Sequence, residues 1–133
     1  MIYALDTCVI INYLNGNSET REQIYRIIKN KMSIVLMSIV DYEIMRGFYY
    51  TPNEIKQSIY KKMRLKLKCV EINSKIWDEA ARMWAELRKK GYTIGDADIL
   101  IAAFCVVNWY TLATNNLKHF SEIKELNVEN WRI

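Results

Sequence analysis

Four short apolar runs limit what this chain can fold into: Ile2–Leu5, Ile34–Met37, Cys69–Ile72 and Tyr110–Thr114. Each has strand length, and the segments between them carry apolar residues at helical spacing, so the runs read as buried strands separated by helices. Asp6 and Thr7 follow the first run as a helix cap, with Val9 to Leu14 beginning that helix. Ile24, Ile27 and Ile28 place a second helix over residues 18–30, and Ser38 caps a third that carries Val40, Glu43, Ile44 and Gly47. Pro52 has no amide hydrogen and breaks that helix, after which Asn53 caps another that runs into a basic segment. Asn73 or Ser74 opens the clearest helix, in which Ile76, Ala80, Met83 and Leu87 combine with Trp77, Ala81 and Trp84 in a broad apolar stripe before Gly91. The tryptophans read there as core residues, not as a ligand platform. Asp96 or Asp98 starts a last helix, apolar through Val107, and the tail from Asn127 to Trp131 offers a short edge strand. Short buried strands alternating with helices predict a three-layer α/β fold around a central, mainly parallel sheet of four to five strands.

The 133 residues fit one domain, 1–133, large enough to bury roughly two thirds of the surface of the unfolded chain. One proline, four glycines and no Ser-rich or Pro-rich stretch leave no linker, and no internal repeat is visible. Cys8, Cys69 and Cys105 are odd in number and lack Cys-x-x-Cys spacing, which argues against a disulfide framework and a zinc site; they read as buried thiols. The start of the chain has no basic leader, and the longest uncharged apolar run falls far short of the roughly 18 residues that span a membrane. A cytoplasmic, soluble protein with no membrane partner is expected. The net charge of +4 is concentrated at Lys56, Lys61, Lys62, Arg64, Lys66 and Lys68, with Arg88, Lys89 and Lys90 as a second group. Such a segment is either a solvated helix face or a surface that attracts phosphates, and charge alone does not decide between them.

The acids are placed less evenly. Asp6 ends the first apolar run, Asp98 stands immediately before the apolar stretch that begins at Ile99, and Glu43 sits among Ile39, Val40, Ile44 and Gly47. A carboxylate beside a core costs several kcal/mol or more unless a cation, a proton or hydrogen bonds compensate it. In parallel α/β sheets ligands bind outside the carboxyl ends of the strands. Asp6 follows the first strand, Glu43 lies in the helix after the second, Asp96 and Asp98 open a helix, and Asn116 follows the fourth strand, so all of them can face one crevice. Each also has a plainer reading: Asp6 or Asp98 favours the positive end of a helix, worth about 0.3–1 kcal/mol, and Asn116 makes a turn.

With these residues in place, the chain resembles the PIN-domain nucleases, and within them the VapC-type toxins of bacterial and archaeal toxin-antitoxin pairs. The resemblance spans nearly the whole chain and rests on Tyr3-Ala4-Leu5-Asp6-Thr7, on Ser38 followed by Glu43 and Gly47, on the stretch from Ile94 to Ala103, on Thr114 to Phe120, and on Val128-Glu129-Asn130-Trp131. It implies a PIN-like three-layer fold with Asp6, Glu43 and Asp98 as the acidic triad and Asp96 as an additional acid. Asn116 falls where many members carry a fourth acid and others carry Asn, and Cys8 stands where Asn or Ser is common. Thr7 and Thr114, with Lys61, Lys62 and Arg64 of the basic segment, are the expected substrate contacts. Carboxylate oxygens without supporting His or Cys select Mg²⁺, with Mn²⁺ able to substitute, and Mg²⁺ usually completes its shell with waters and a phosphate. The resemblance thus implies an endoribonuclease whose activated water attacks phosphorus in line, leaving a 5′-phosphate and a 3′-hydroxyl, with no protein nucleophile. His119 is expected at the surface or against substrate, not as a required base. The implied substrate is structured RNA, a tRNA or ribosomal RNA loop, and the implied partners are a second copy in a homodimer and a cognate antitoxin that reaches the acids with Arg or Lys.

Three other readings compete. A haloacid-dehalogenase-type phosphatase needs a second Asp two residues after the first, where this chain has Cys8. A response-regulator receiver needs a phospho-accepting Asp after its third strand, where this chain has Asn73 and Ser74. The remaining rival is a non-catalytic, RNA-binding PIN domain, against which the retention of all three acids speaks.

Overall fold

The tail joins the four apolar runs in one sheet. The structure, a computed structural model, describes residues 1–131, so the last two residues of the domain expected above lie outside the described residues. The elements run β1 (Ile2–Leu5), α1 (Thr7–Leu14), α2 (Ser18–Lys29), β2 (Ser33–Met37), α3 (Ser38–Tyr50), α4 (Glu54–Lys66), β3 (Lys68–Val70), α5 (Ser74–Lys89), α6 (Asp96–Asn108), β4 (Thr111–Thr114), α7 (Leu117–Phe120) and β5 (Asn127–Asn130). The strand order is β3-β2-β1-β4-β5, and every neighbouring pair is parallel. Moves from β1 to β2 to β3 go toward one edge, and moves from β3 to β4 to β5 go toward the other. Because parallel crossovers are right-handed, the two directions lay their helices on opposite faces of the sheet. The three layers follow, and the central strands are buried on both sides: Tyr3, Ala4 and Leu5 in β1 and Leu112, Ala113 and Thr114 in β4.

Local chemistry fixes the helix ends. Asn17, Asn53 and Asn73 each accept a hydrogen bond from the third backbone N–H of the helix they precede, those of Thr20, Lys56 and Ile76, which contributes about 1 kcal/mol apiece. Thr51 leaves the helix at φ −133° and ψ 86°, outside the α region that a residue before a proline avoids. Gly91 adopts a positive φ of 86° just past α5, where a side chain would strain the backbone. The first helix begins at Thr7, two residues before the Val9 expected, and α6 opens at Asp96 with Gly95 as its cap.

Two expectations about burial are corrected. Trp77 and Trp84 are 55% and 41% exposed, because the stripe that packs against the core is the narrower one of Ile76, Ala80, Met83 and Leu87. Of the three cysteines Cys105 alone is buried; Cys8 is half-buried, and Cys69 is exposed because β3 is an edge strand.

Candidate active site

The sheet changes direction between β1 and β4, where chain connections leave toward opposite edges and a crevice opens at the carboxyl ends. Asp6 stands at that point. Its backbone N–H donates to Ala113 O at 2.9 Å, which carries the β1–β4 ladder one step past the strands. Its side chain does not cap α1 as the asparagines cap their helices. Oδ1 accepts from the N–H of Thr7 at 2.8 Å, and Oδ2 turns across the sheet to accept from the Thr114 hydroxyl at 2.6 Å. The Cys8 thiol also donates to Oδ2, at 3.6 Å; burial and then the charge of Asp6 push its pKa up, so it stays protonated. A buried carboxylate is thus held by three donors that are all uncharged, with no basic group within ion-pairing distance among the described residues.

The other two acids of the triad join it from opposite helices. Glu43, in the second turn of α3, accepts from the Thr7 hydroxyl at 2.8 Å through Oε1, while Oε2 lies 3.6 Å from the mostly exposed Arg46. Asp98 occupies the first turn of α6 and accepts at 3.0 Å from Nδ1 of His119 in α7. Burial raises the Asp98 pKa above its ordinary value; His119 pulls it down, and the negative charges of Asp6 and Glu43 push it further up. These causes place the three carboxylates in one electrostatic neighbourhood. Asp96, by contrast, lines an exposed groove between α5 and α6 together with Trp77 and Trp84.

The remaining site candidates divide. Thr114, expected to touch substrate, is fully buried and gives its hydroxyl to Asp6, so its place is that of a holding residue. Thr7 bridges two acids, its N–H on Asp6 and its hydroxyl on Glu43. The N–H of Asn116 donates to Thr114 Oγ1 at 3.0 Å, and its side chain is exposed beyond β4. Lys61 and Lys62 are exposed on α4, whereas Arg64 pairs with Asp41 at 3.2 Å and lies over the Tyr60 ring. Because α4 leads into the amino end of β3, these three residues run away from the crevice. Nearer cations are Lys56, the first residue of the basic segment, which lines a groove with Glu43, and Arg46, which was missed in the sequence. The three-residue spacing of Glu43 and Arg46 was the available signal.

Among the described residues no three Asp, Glu, His or Cys side chains form a finished metal-ligand set. The donor chemistry nevertheless suits a hard cation. The ligands on offer are carboxylate oxygens, and Mg²⁺ is usually held through only one or two carboxylates, with waters and substrate phosphate completing its shell. The buried Oδ1 of Asn115, the residue after Thr114, also has no hydrogen-bond partner among the described residues. It is one more oxygen at this strand end suited to a hydrated cation.

Residues 3–126 match the PIN domain. The chain belongs to the PIN-domain family. It is 30% identical to Ribonuclease VapC2 of Rickettsia felis over 132 residues, 98% of both chains. It is 28% identical to Ribonuclease VapC1 of Methanocaldococcus jannaschii over 125 residues, 94% of this chain and 83% of that relative. The crystal structure of VapBC2 from Rickettsia felis bound to a DNA fragment from their promoter contains a chain with the same fold, with a TM-score of 0.91, 31% identity, and coverage of 98% of this PIN domain and 99% of that chain. The VapBC-1 structure from nontypeable Haemophilus influenzae matches with a TM-score of 0.84 and 26% identity over 98% of each chain. The α/β fold with its parallel five-stranded sheet is therefore that of VapC proteins. No helix among the described residues is long and apolar enough to cross a membrane.

Proposed function

We propose that this PIN domain, a single domain over 1–133, is a metal-dependent endoribonuclease and the toxin of a toxin-antitoxin pair. It acts in the cytoplasm on structured RNA, a tRNA or ribosomal RNA loop. The observation that carries the reading is the buried Asp6 at the switch point, held by uncharged donors and sharing its neighbourhood with Glu43 and Asp98. Full-length similarity to proteins named ribonucleases adds to it.

Asp6 and Asp98, with Glu43, would hold Mg²⁺ or Mn²⁺. Such a cation, when bound, stabilises charge on the phosphoryl oxygens and makes water a better nucleophile. The chain's own residues supply positioning. Thr114 and the Thr7 N–H fix both oxygens of Asp6, the Thr7 hydroxyl fixes Oε1 of Glu43, and His119 fixes Oδ2 of Asp98. Glu43, whose Oε2 also lies 3.6 Å from Arg46, would take a proton from the attacking water. Water adds to phosphorus, the bond to the 3′-oxygen breaks, and that oxygen leaves with a proton from solvent, giving a 5′-phosphate and a 3′-hydroxyl. Asn116, whose N–H donates to Thr114 Oγ1 just past β4, would lie within reach of the substrate.

The partners follow from the charge of the site. A cognate antitoxin that inserts Arg or Lys among the acids blocks cation and substrate together. A homodimer is proposed from the VapC resemblance. The rival reading, a non-catalytic RNA-binding PIN domain, draws on the lack of a finished ligand set among the described residues. Purified protein incubated with total RNA separates the two, with the ends of the products sequenced. Cleavage with Mg²⁺ or Mn²⁺, lost in EDTA and not restored by Ca²⁺, with 5′-phosphate ends, is the expected result. Full activity in EDTA, or 2′,3′-cyclic phosphate ends, overturns the water-attack scheme, and binding without cleavage favours the rival.

A further inference from the structure

A cleft of about 320 Å³ opens beside the acidic crevice, between the α5–α6 loop and α7, and it shares Asp98 and His119 with the crevice. Leu87, Ile94 and Ile123 give it an apolar floor, and the exposed side chains of Tyr92, Lys118 and Glu122 stand at its rim. Among the described residues none of these three rim side chains makes a hydrogen bond, an ion pair or a ring contact, although Lys118 and Glu122 are four positions apart. The contrast with the neighbouring surface is sharp, since Arg82 there engages Glu79, Glu86 and Glu125. The cleft thus offers an aromatic ring, a cation and a carboxylate, all unengaged among the described residues, next to Asp98 of the acidic crevice.

We infer that this cleft receives one unpaired nucleotide of the RNA, the one next to the phosphate cut at the crevice. The inference rests on the ribonuclease reading above. RNA sequence is read from bases splayed out of a helix, which stack on aromatic side chains and hydrogen-bond through their edges. The volume lies at the low end of the range for small-molecule sites, about 300–1,000 Å³, which suits a nucleoside and not a partner helix. Tyr92 offers a stacking face, and Lys118 offers a cation for the adjoining phosphate. Glu122 as a carboxylate only accepts hydrogen bonds, and its two oxygens match the neighbouring N–H and amino donors of guanine. Uracil presents one N–H between two carbonyl oxygens that a carboxylate repels. The cleft therefore selects guanine over uracil at that position.

The test uses four short single-stranded RNA oligomers that differ in one base. Fluorescence anisotropy reads their binding with Ca²⁺ in place of Mg²⁺, and cleavage kinetics with Mg²⁺ are read in parallel. The guanine oligomer is expected to bind tightest. Tyr92→Ala is expected to weaken every oligomer by about tenfold through lost stacking, appearing in KM and not in kcat. Glu122→Gln is expected to narrow the spread between the guanine and uracil oligomers. If the wild-type protein cuts RNA but neither substitution moves affinity, KM or base preference, the inference is overturned, and a partner peptide becomes the better occupant of the cleft. A wild-type protein that cuts no RNA sinks the ribonuclease reading instead. Anisotropy still judges the cleft in that case: base discrimination that Glu122→Gln reduces supports it, and its absence overturns it.

Discussion

Two places in this PIN domain bring three carboxylates together, and they are neutralised in opposite ways. On α5, Arg82 engages Glu79, bonds Glu86 at 2.7 Å and reaches Glu125 at 3.2 Å, so the acids share a cation supplied by the chain. Glu125 is held below the usual carboxylate range, by a backbone hydrogen bond first and by Arg82 after it. In the crevice, Asp6 has only uncharged donors among the described residues, and Asp98 is pushed up by burial and by its acidic neighbours. A cluster with its own arginine is complete as folded. A cluster whose buried central acid is held by neutral donors, with Arg46 and His119 reaching only its outer acids, is suited to a cation from outside.

The largest effect that separates the two clusters is on catalysis. Asp6→Asn and Asp98→Asn are each expected to reduce RNA cleavage on the order of a thousandfold or more while the protein stays folded, since each removes charge from the proposed cation site. Glu43→Gln is expected to be similarly damaging, and Asp96→Asn milder, given its place in the exposed groove. Arg82→Ala is expected to leave cleavage intact. Initial rates on one labelled RNA decide this; a loss in Arg82→Ala comparable to that in Asp98→Asn would erase the distinction between the clusters.

A smaller effect tests the neutral donors. Thr114→Val keeps the shape of the side chain but removes the hydroxyl that holds Asp6 Oδ2. The loss of such an orienting partner typically costs about 10- to 100-fold in metal affinity or activity. A Mg²⁺ titration of cleavage is expected to move to higher concentration, and Thr114→Ser to restore it. An unchanged titration would show that Asp6 is oriented without Thr114.

Smaller again is the contribution of the basic helix. Replacing Lys61 and Lys62 with Gln is expected to lower the salt dependence of RNA binding by about one unit of slope per charge, without changing the metal requirement. Arg64→Gln should act on the fold more than on binding, because Arg64 is already paired with Asp41. If the slope is unchanged after the double replacement, α4 is a solvated face, and Arg46 and Lys56 become the candidates for steering.

The sequence carried the elements better than their arrangement. Apolar runs announced β1, β2 and β4 within a residue of their observed limits, because strands buried on both faces need continuous apolar side chains. The strand order was not readable, since it depends on crossovers and not on any local pattern. Four-residue α7 was also missed, being too short for a helical period. At the crevice, the residue types of Asp6, Glu43 and Asp98 were legible, but not what holds them. The bond from Thr114 to Asp6 joins residues 108 positions apart, and the pairing of His119 with Asp98 depends on how α7 packs beside α6. The burial of Trp77 and Trp84 was overestimated because periodicity gives the direction of a helix's apolar face but not its width.

The smallest effect is on stability, and it carries opposite signs in the two clusters. The folded protein binds a proton at Asp98 more tightly than the unfolded chain does, so the ionised group opposes folding. That opposition is full above the raised folded-state value and vanishes as the pH falls below the ordinary Asp value near ~3.9. Asp98→Asn, whose amide oxygen still accepts from His119, is therefore expected to raise Tm at neutral pH, with the gain fading in acid. For Glu125 the folded value is lowered, so its contribution to stability is present above the unfolded-state value and is lost as the pH falls through the folded one. Arg82→Ala is expected to lower Tm at neutral pH, by a small amount because the guanidinium is 42% exposed and surface pairs are typically worth less than about 1 kcal/mol. Thermal melts of both variants from neutral to acidic pH are expected to diverge from wild type in opposite directions and to converge on it in acid. If Asp98→Asn melts lower than wild type at neutral pH, Asp98 is a structural acid like those around Arg82, and the crevice loses its claim to an unmet charge.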